Sequence, residues 1–210
     1  TSHIAFNINK LDFVDKKLVL DFKDVLIENA NGTIKGGENK PVKKSGPGII
    51  QSVIVRKFSL KNSNIIYDKG KEPLAFHDLN ATVNNIELSP KPDNQGLSFT
   101  VKDYFLTTRN LGYKTQFYNL SLGLLKLNKN KIQINNFAMK PLVSRARFIR
   151  MIPVERDLYD LKAGQITAEG NWDLSSQNKS INASHVVIEA ADANIFRSKI
   201  PKDDPKIKAL

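Results

Sequence analysis

The chain contains no cysteine and only one tryptophan, two methionines and three histidines among its 210 residues. The first absence excludes disulfides, thiolate nucleophiles and cysteine metal sites, and it leaves the compartment open, since exported bacterial domains often lack cysteine too. His3, His77 and His185 are widely separated in sequence and fit no His-Glu-x-x-His or paired-histidine spacing. No G-x-S-x-G elbow occurs. Gly32 to Gly37 has the spacing of a phosphate loop, but Glu38 and Asn39 follow where that loop needs Lys and then Ser or Thr, and a carboxylate there repels phosphate. No nucleophile, base and orienting group can be assembled, so the expectation is a protein that is not an enzyme and holds neither metal nor cofactor. No apolar run reaches the roughly 18 residues a membrane-spanning helix needs.

What is present is alternation. Ile4, Phe6 and Ile8, then Leu18, Leu20 and Phe22, then Val25 and Ile27 follow the period of two that marks half-buried strands, giving two or three strands in the first 30 residues. Residues 31–48 hold five glycines, two prolines and four lysines, the composition of a linker or of a long hairpin loop within one sheet. Alternation resumes from Ile49 through Val53, Val55, Phe58 and Leu60, turns at Lys69 to Lys71, and returns with Leu79, Ala81 and Val83. There the apolar parity switches to Ile86 and Leu88, as a β-bulge at Asn84 or Asn85 would produce. Leu120 and Leu122 lead through Asn128 to Lys131 into Ile132, Ile134 and Phe137, the pattern of a hairpin. Val186 and Ile188 continue the theme. Only residues 142–152 carry apolar residues at steps of three, predicting one short helix or turn that Pro153 ends.

Three stretches, FSLKNSNIIYD, IQINNFAMKP and VVIEAADANIFRS, run apolar, polar, apolar, then a small or asparagine pair, then apolar again. This weak repeat favours an antiparallel meander over alternating helices and strands. The predicted fold is therefore mainly β: a curved antiparallel sheet, either an open groove or a sandwich, with at most one or two short helices. Residues 1–48 form an N-terminal set of strands with a basic loop, and residues 49–210 the main β-rich module. The abrupt start and end of the alternation are those of a piece of a longer protein.

Lys and Arg number 32 against 21 Asp and Glu, a net charge of +11 that favours polyanions or simply a solvated basic surface. Arg145, Arg147, Arg150 and Arg156 form the densest arginine group, placed to contact an anion or to pair with Glu155 and Asp157. The lack of any stacking string of aromatics among basic residues argues against nucleic acid.

The segment MKPLVSRARFIRMIPVERDLYDLKAGQI, with FSLKNSNIIYDKG, Tyr113 before a strand and ADANIFRSKIPKDDPKIKAL, resembles large membrane-anchored envelope proteins of Bacteroidota similar to the AsmA family, over roughly residues 50–210. The resemblance implies an extracytoplasmic module on the periplasmic face of the bacterial inner membrane, attached through an anchor outside this sequence. It also implies kinship with TamB and the bridge-like lipid-transfer proteins, whose β-rich trough carries acyl chains, and a part in lipid transport or envelope assembly with phospholipid or another envelope lipid as partner. It supplies no catalytic residue. The residues expected to face lipid or to form a core are Phe58, Leu60, Leu79, Val83, Leu120, Leu122, Ile132, Ile134, Val186 and Ile188. A basic adaptor for a protein, glycan or other polyanion is the alternative.

Overall fold

The computed structural model describes residues 1–35, 50–68, 73–90, 97–173 and 180–202. Its strands are β1 (His3–Val14), β2 (Lys17–Glu28), β3 (Asn31–Lys35), β4 (Ile50–Asp68), β5 (Leu74–Pro90), β6 (Leu97–Lys114), β7 (Tyr118–Asn128), β8 (Lys131–Pro141), β9 (Asp157–Asp173), β10 (Ser180–Glu189) and β11 (Asp192–Arg197). Among the described residues a single helix, α1 (Arg145–Met151), lies between β8 and β9. All eleven strands join one open, curved sheet in the order β1-β2-β4-β5-β6-β7-β8-β9-β10, with β3 beside β4 and β11 beside β9. Neighbours are antiparallel except that β2 and β3 both run parallel to β4. The sandwich alternative is thus replaced by an open sheet. The linker expected over residues 31–48 begins later than its composition implies, because Asn31–Lys35 already pairs with β4. The remainder of that loop and the Lys69 to Lys71 turn lie outside the described residues.

Local chemistry accounts for the elements. Asp15 and Lys16 both take positive φ (50° and 61°), the two-residue turn whose twist matches the β1–β2 hairpin. The predicted hairpin forms between β7 and β8, where the Asn128 side-chain oxygen accepts from the backbone N–H groups of Asn130 and Lys131 at 2.9 and 2.7 Å. The predicted helix forms with Ser144 as its N-cap, accepting from the Arg147 N–H at 3.3 Å, and stops at Ile152, before Pro153.

A line of left-handed residues runs across the sheet from β2 to β10, passing through glycines on β7 and β9. Asn62, Asp78, Asn110 and Asn136 have φ between 47° and 53° inside β4, β5, β6 and β8, while Asn29 and Ala190 take the same conformation where β2 passes into β3 and β10 into β11. A left-handed residue interrupts the pleat, so the step between residues on one face lengthens from two to three: Leu60 to Ser63, Ile134 to Phe137, Ile188 to Ala191. Asparagine and aspartate tolerate this conformation best after glycine, and neighbouring asparagine side chains take up the backbone N–H groups it displaces. Asn80 Oδ1 accepts from Asn62 N–H at 3.1 Å, and Asn64 Oδ1 from Asp78 N–H at 3.3 Å. On β7 and β9 the line is continued by Gly123 and Gly164, where a Cβ would sit 3.1 Å from Asn136 Nδ2 and 3.0 Å from the Ala190 Cβ. The three stretches of the weak repeat are three crossings of this line.

The line divides the sheet into a long wing, containing β1, β2 and β10, and a short wing, containing β3 and β11. The parity switch expected near Asn85 is present and its mechanism differs from an inserted residue. Asn85 has φ 51°, and the register continues unbroken from Val83–Phe58 to Ile86–Val55 because β4 switches parity at the same level. A single apolar face survives on both strands.

Candidate functional site

Paired residues in adjacent strands share a face, so the register maps that face directly. One row runs Ile4, Ile27, Leu60, Ala81, Leu106, Leu127, Ile132, Ala168, Val186 from one edge of the sheet to the other. Beside it run Phe6, Val25, Phe58, Val83 and Tyr104 on one flank, and Leu125, Ile134, Ile166 and Ile188 on the other. Of the ten residues expected to face lipid or form a core, eight therefore share the long wing's apolar face: Phe58, Leu60, Leu79, Val83, Ile132, Ile134, Val186 and Ile188. Leu120 and Leu122 lie across the line of left-handed residues, where Leu120 belongs to the row Tyr113, Leu120, Met139, Leu161, Ala193 on the short wing.

Among the described residues no second layer lies over this face. Among the ten, only Leu79 is fully buried; Val186 and Ile188 are 55% and 56% exposed, and Phe6 at the opposite edge is 57% exposed. Where the curvature is concave, Phe58, Val83, Ile86, Phe99, Val101 and Leu106 line an apolar cleft of about 400 Å³. Phe99, Val101, Leu106 and Leu127 were not among the expected site residues. Period two carries Phe99 and Val101 into the set, whereas Leu106 and Leu127 lie where the sequence shows adjacent apolar residues and periodicity alone gives no face.

Buried apolar packing is concentrated beneath α1. Phe148, Ile152 and Leu158 form a core with Phe117, Tyr118, Val143 and Phe196 around it, and the Phe117 and Phe148 rings meet edge to face at 5.2 Å. Leu158 pairs with Phe196, three positions from Leu161, so α1 covers the side opposite the Leu120 row. Arg145, Arg147, Arg150 and Arg156 are all exposed on or just beyond this helix. Among the described residues none of the four forms an ion pair, so the expected pairing with Glu155 and Asp157 is not made; the Asp157 carboxylate is held by Arg197 at 2.9 Å, and Arg145 instead lies 4.8 Å above the Phe196 ring.

Shifted carboxylates mark sheet-surface ion pairs. Arg56 donates to Asp21 at 2.7 and 3.1 Å and Asn9 adds a bond at 2.7 Å, together holding the Asp21 carboxyl below the usual range. Arg197 does the same for Asp157, with Tyr159 adding a bond, Lys61 for Glu28 and Lys131 for Glu169. Each partner is a cation or donor on a neighbouring strand or within the same one, which explains these shifts as cross-strand structure. Among the described residues no group of three or more His, Cys, Asp or Glu is arranged to hold a metal, and no helix is long and apolar enough to cross a membrane.

The fold and face define a class: an open, one-layer, mostly antiparallel sheet with an uncovered apolar side. No family model, curated protein or solved structure matches this chain.

Proposed function

We propose that the protein is a lipid-handling module whose long-wing apolar face receives acyl chains, in the manner implied by its resemblance to AsmA-like envelope proteins. The observation that carries this reading is the row from Ile4 to Val186, uncovered among the described residues, with its neighbours Phe6, Phe99 and Ile188 47–57% exposed. An apolar face of this extent on a chain with ordinary hydrophobic content is costly to leave in water and is stabilised by an apolar ligand. Hydrocarbon chains suit it because the face is continuous across strands and its 400 Å³ cleft is lined by apolar side chains such as Phe58, Val83, Ile86 and Val101, together with Tyr104. The module has no part in catalysis and works on the periplasmic face of a bacterial inner membrane, supporting lipid transport or envelope assembly.

Native mass spectrometry of gently purified protein, followed by solvent extraction, tests the proposal. Near-stoichiometric lipid is expected, and Val83→Glu, which places a charge in the cleft, should remove most of it while the strand spectrum in circular dichroism persists. Protein that stays free of lipid after incubation with vesicles sinks the reading.

A second reading rests on the arginines. Arg145, Arg147, Arg150 and Arg156 are exposed without an ion-pair partner among the described residues, a surface suited to an acidic protein or glycan. Binding to a polyanion such as heparin that weakens steeply with salt, and is lost in a fourfold Arg→Gln variant, would favour it.

A further inference from the structure

The β7–β8 hairpin is shorter than the strands on either side. Pairing of β6 with β7 starts at Phe105–Asn128, and pairing of β8 with β9 starts at Lys131–Glu169. Residues 98–104 of β6 pair with β5 alone and residues 170–173 of β9 with β10, so among the described residues no strand fills the space between them beyond the hairpin tip. The result is a slot in the sheet. Its tip is held firmly: the Asn130 carbonyl accepts from Gly170 N–H at 3.0 Å, and the Asn128 carbonyl from the buried Trp172 Nε1 at 2.6 Å.

A polar cleft of about 790 Å³ occupies the slot, lined by Asp103, Asn128, Lys129, Asn130, Asn171 and Asn182 among others. It adjoins the apolar cleft, since Tyr104 and Phe105 line both. Register explains how two clefts of opposite character meet there. Tyr104 pairs with Val83 on the apolar face, while Phe105, one residue on, pairs with Asn128 and points the other way. A molecule passing through the slot meets hydrocarbon on one side and amides and charges on the other.

Among the described residues of the lining the charges are balanced. Lys129 and Lys131 accompany Asp103 and Glu169, a net of zero in a chain whose net charge is +11. Lys131 is committed to Glu169 at 2.9 Å, and Asp103 Oδ1 accepts from the Tyr104 N–H at 2.8 Å, but neither Lys129 nor Asp103 forms an ion pair among the described residues. One cation and one anion thus keep their charge for a ligand, with side-chain amides of both donor and acceptor character beside them. Resting on the lipid-handling reading, we infer that this slot seats the head group of a zwitterionic lipid, its anionic end toward Lys129 and its cationic end toward Asp103, while its chains lie in the apolar cleft. An anionic head would satisfy Lys129 and be repelled by Asp103; a sugar head would leave both charges unanswered.

The test uses the whole chain and vesicles of phosphatidylcholine, phosphatidylglycerol and diglucosyl diacylglycerol in equal parts with identical acyl chains. Bound lipid is extracted and the ratio to free lipid measured. Phosphatidylcholine should be held about three- to fivefold over either competitor, the discrimination that one or two solvent-screened charge contacts supply. In Asp103→Asn with Lys129→Gln the ratio should fall to about one with total bound lipid unchanged, whereas Val83→Glu should lower the total and leave the ratio alone. Capture without preference, preference for either competitor, or a preference that survives the double substitution overturns the slot assignment while leaving the apolar-face reading intact. No capture by the unaltered protein overturns the apolar-face reading itself, and the slot assignment with it.

Discussion

Phe148 and Phe6 belong to the same small protein, yet one is 2% exposed and the other 57%. The difference lies in what stands opposite. Beneath the seven-residue α1, Phe148 meets Phe117, Leu158 and Phe196; above β1, the face bearing Phe6 meets no second layer among the described residues, and Phe22 touches it from the same sheet, ring edge to ring face at 6.0 Å. The covered patch has the packing that stabilises folds, and the uncovered wing has the same kind of residue held in register without that packing. On the lipid-handling proposal, stability and function are separable here: a structural side chain is one that α1 covers or the left-handed line crowds, and a working side chain would be one left open.

Substitutions that strike the two regions unequally sharpen this contrast. Phe148→Ala should cost about 3–4 kcal/mol, as expected for an aromatic deleted from a closed core, read as a lower midpoint in urea denaturation. Phe6→Ala should cost under about 1 kcal/mol, the range for an exposed position. Equal losses at the two sites would mean that the long wing is covered in solution. Gly123→Val comes next. Its added atoms would press on Asn136 at 3.1 to 3.2 Å, and a cost of about 1–3 kcal/mol is expected from overpacking, with Gly123→Ala affected less.

Within the uncovered wing, the Asp21, Arg56 and Asn9 cluster is the main polar clamp, and Asp21→Asn should lower stability at neutral pH by about 1–2 kcal/mol through loss of charge-assisted bonds. Its pH signature is directional. The folded carboxyl titrates below its ordinary value because Arg56 and Asn9 bond to the charged form, so its contribution is complete above the unfolded pKa of about 3.9 and disappears as pH falls through the depressed folded value. Acid titration of stability should therefore be shallower in Asp21→Asn than in the unaltered protein; parallel curves would contradict the clamp. The smallest effect on stability is expected from Val186→Lys at the half-exposed edge, within about 0.5 kcal/mol, and there the loss should appear in lipid capture instead.

Much of this was legible residue by residue. Strands, the Asn128 to Lys131 hairpin, the short helix ended by Pro153 and the parity switch beside Asn85 each depend on a few neighbours along the chain, where period, turn chemistry and proline geometry act. The weak repeat was visible as well, but its meaning was hidden, because the line from Asn29 to Ala190 exists only when eight strand positions far apart in sequence lie side by side. The parallel placement of β2 against β4 was equally hidden, since a hairpin loop and a crossover connection share the same glycine- and lysine-rich composition.

The sequence by itself determined where the strands run and, where alternation is clean, which side chains of one strand share a face, through period two. Tertiary structure alone decided what stands across from that face: a helix over Phe148 and Leu158, open curvature over Phe99 and Val186, and a slot where β7 and β8 stop short of β6 and β9. The physical reason is that alternation is a property of one strand's backbone, whereas coverage is a relation between segments, and the same one-sided strand is stable against a second layer or against a ligand.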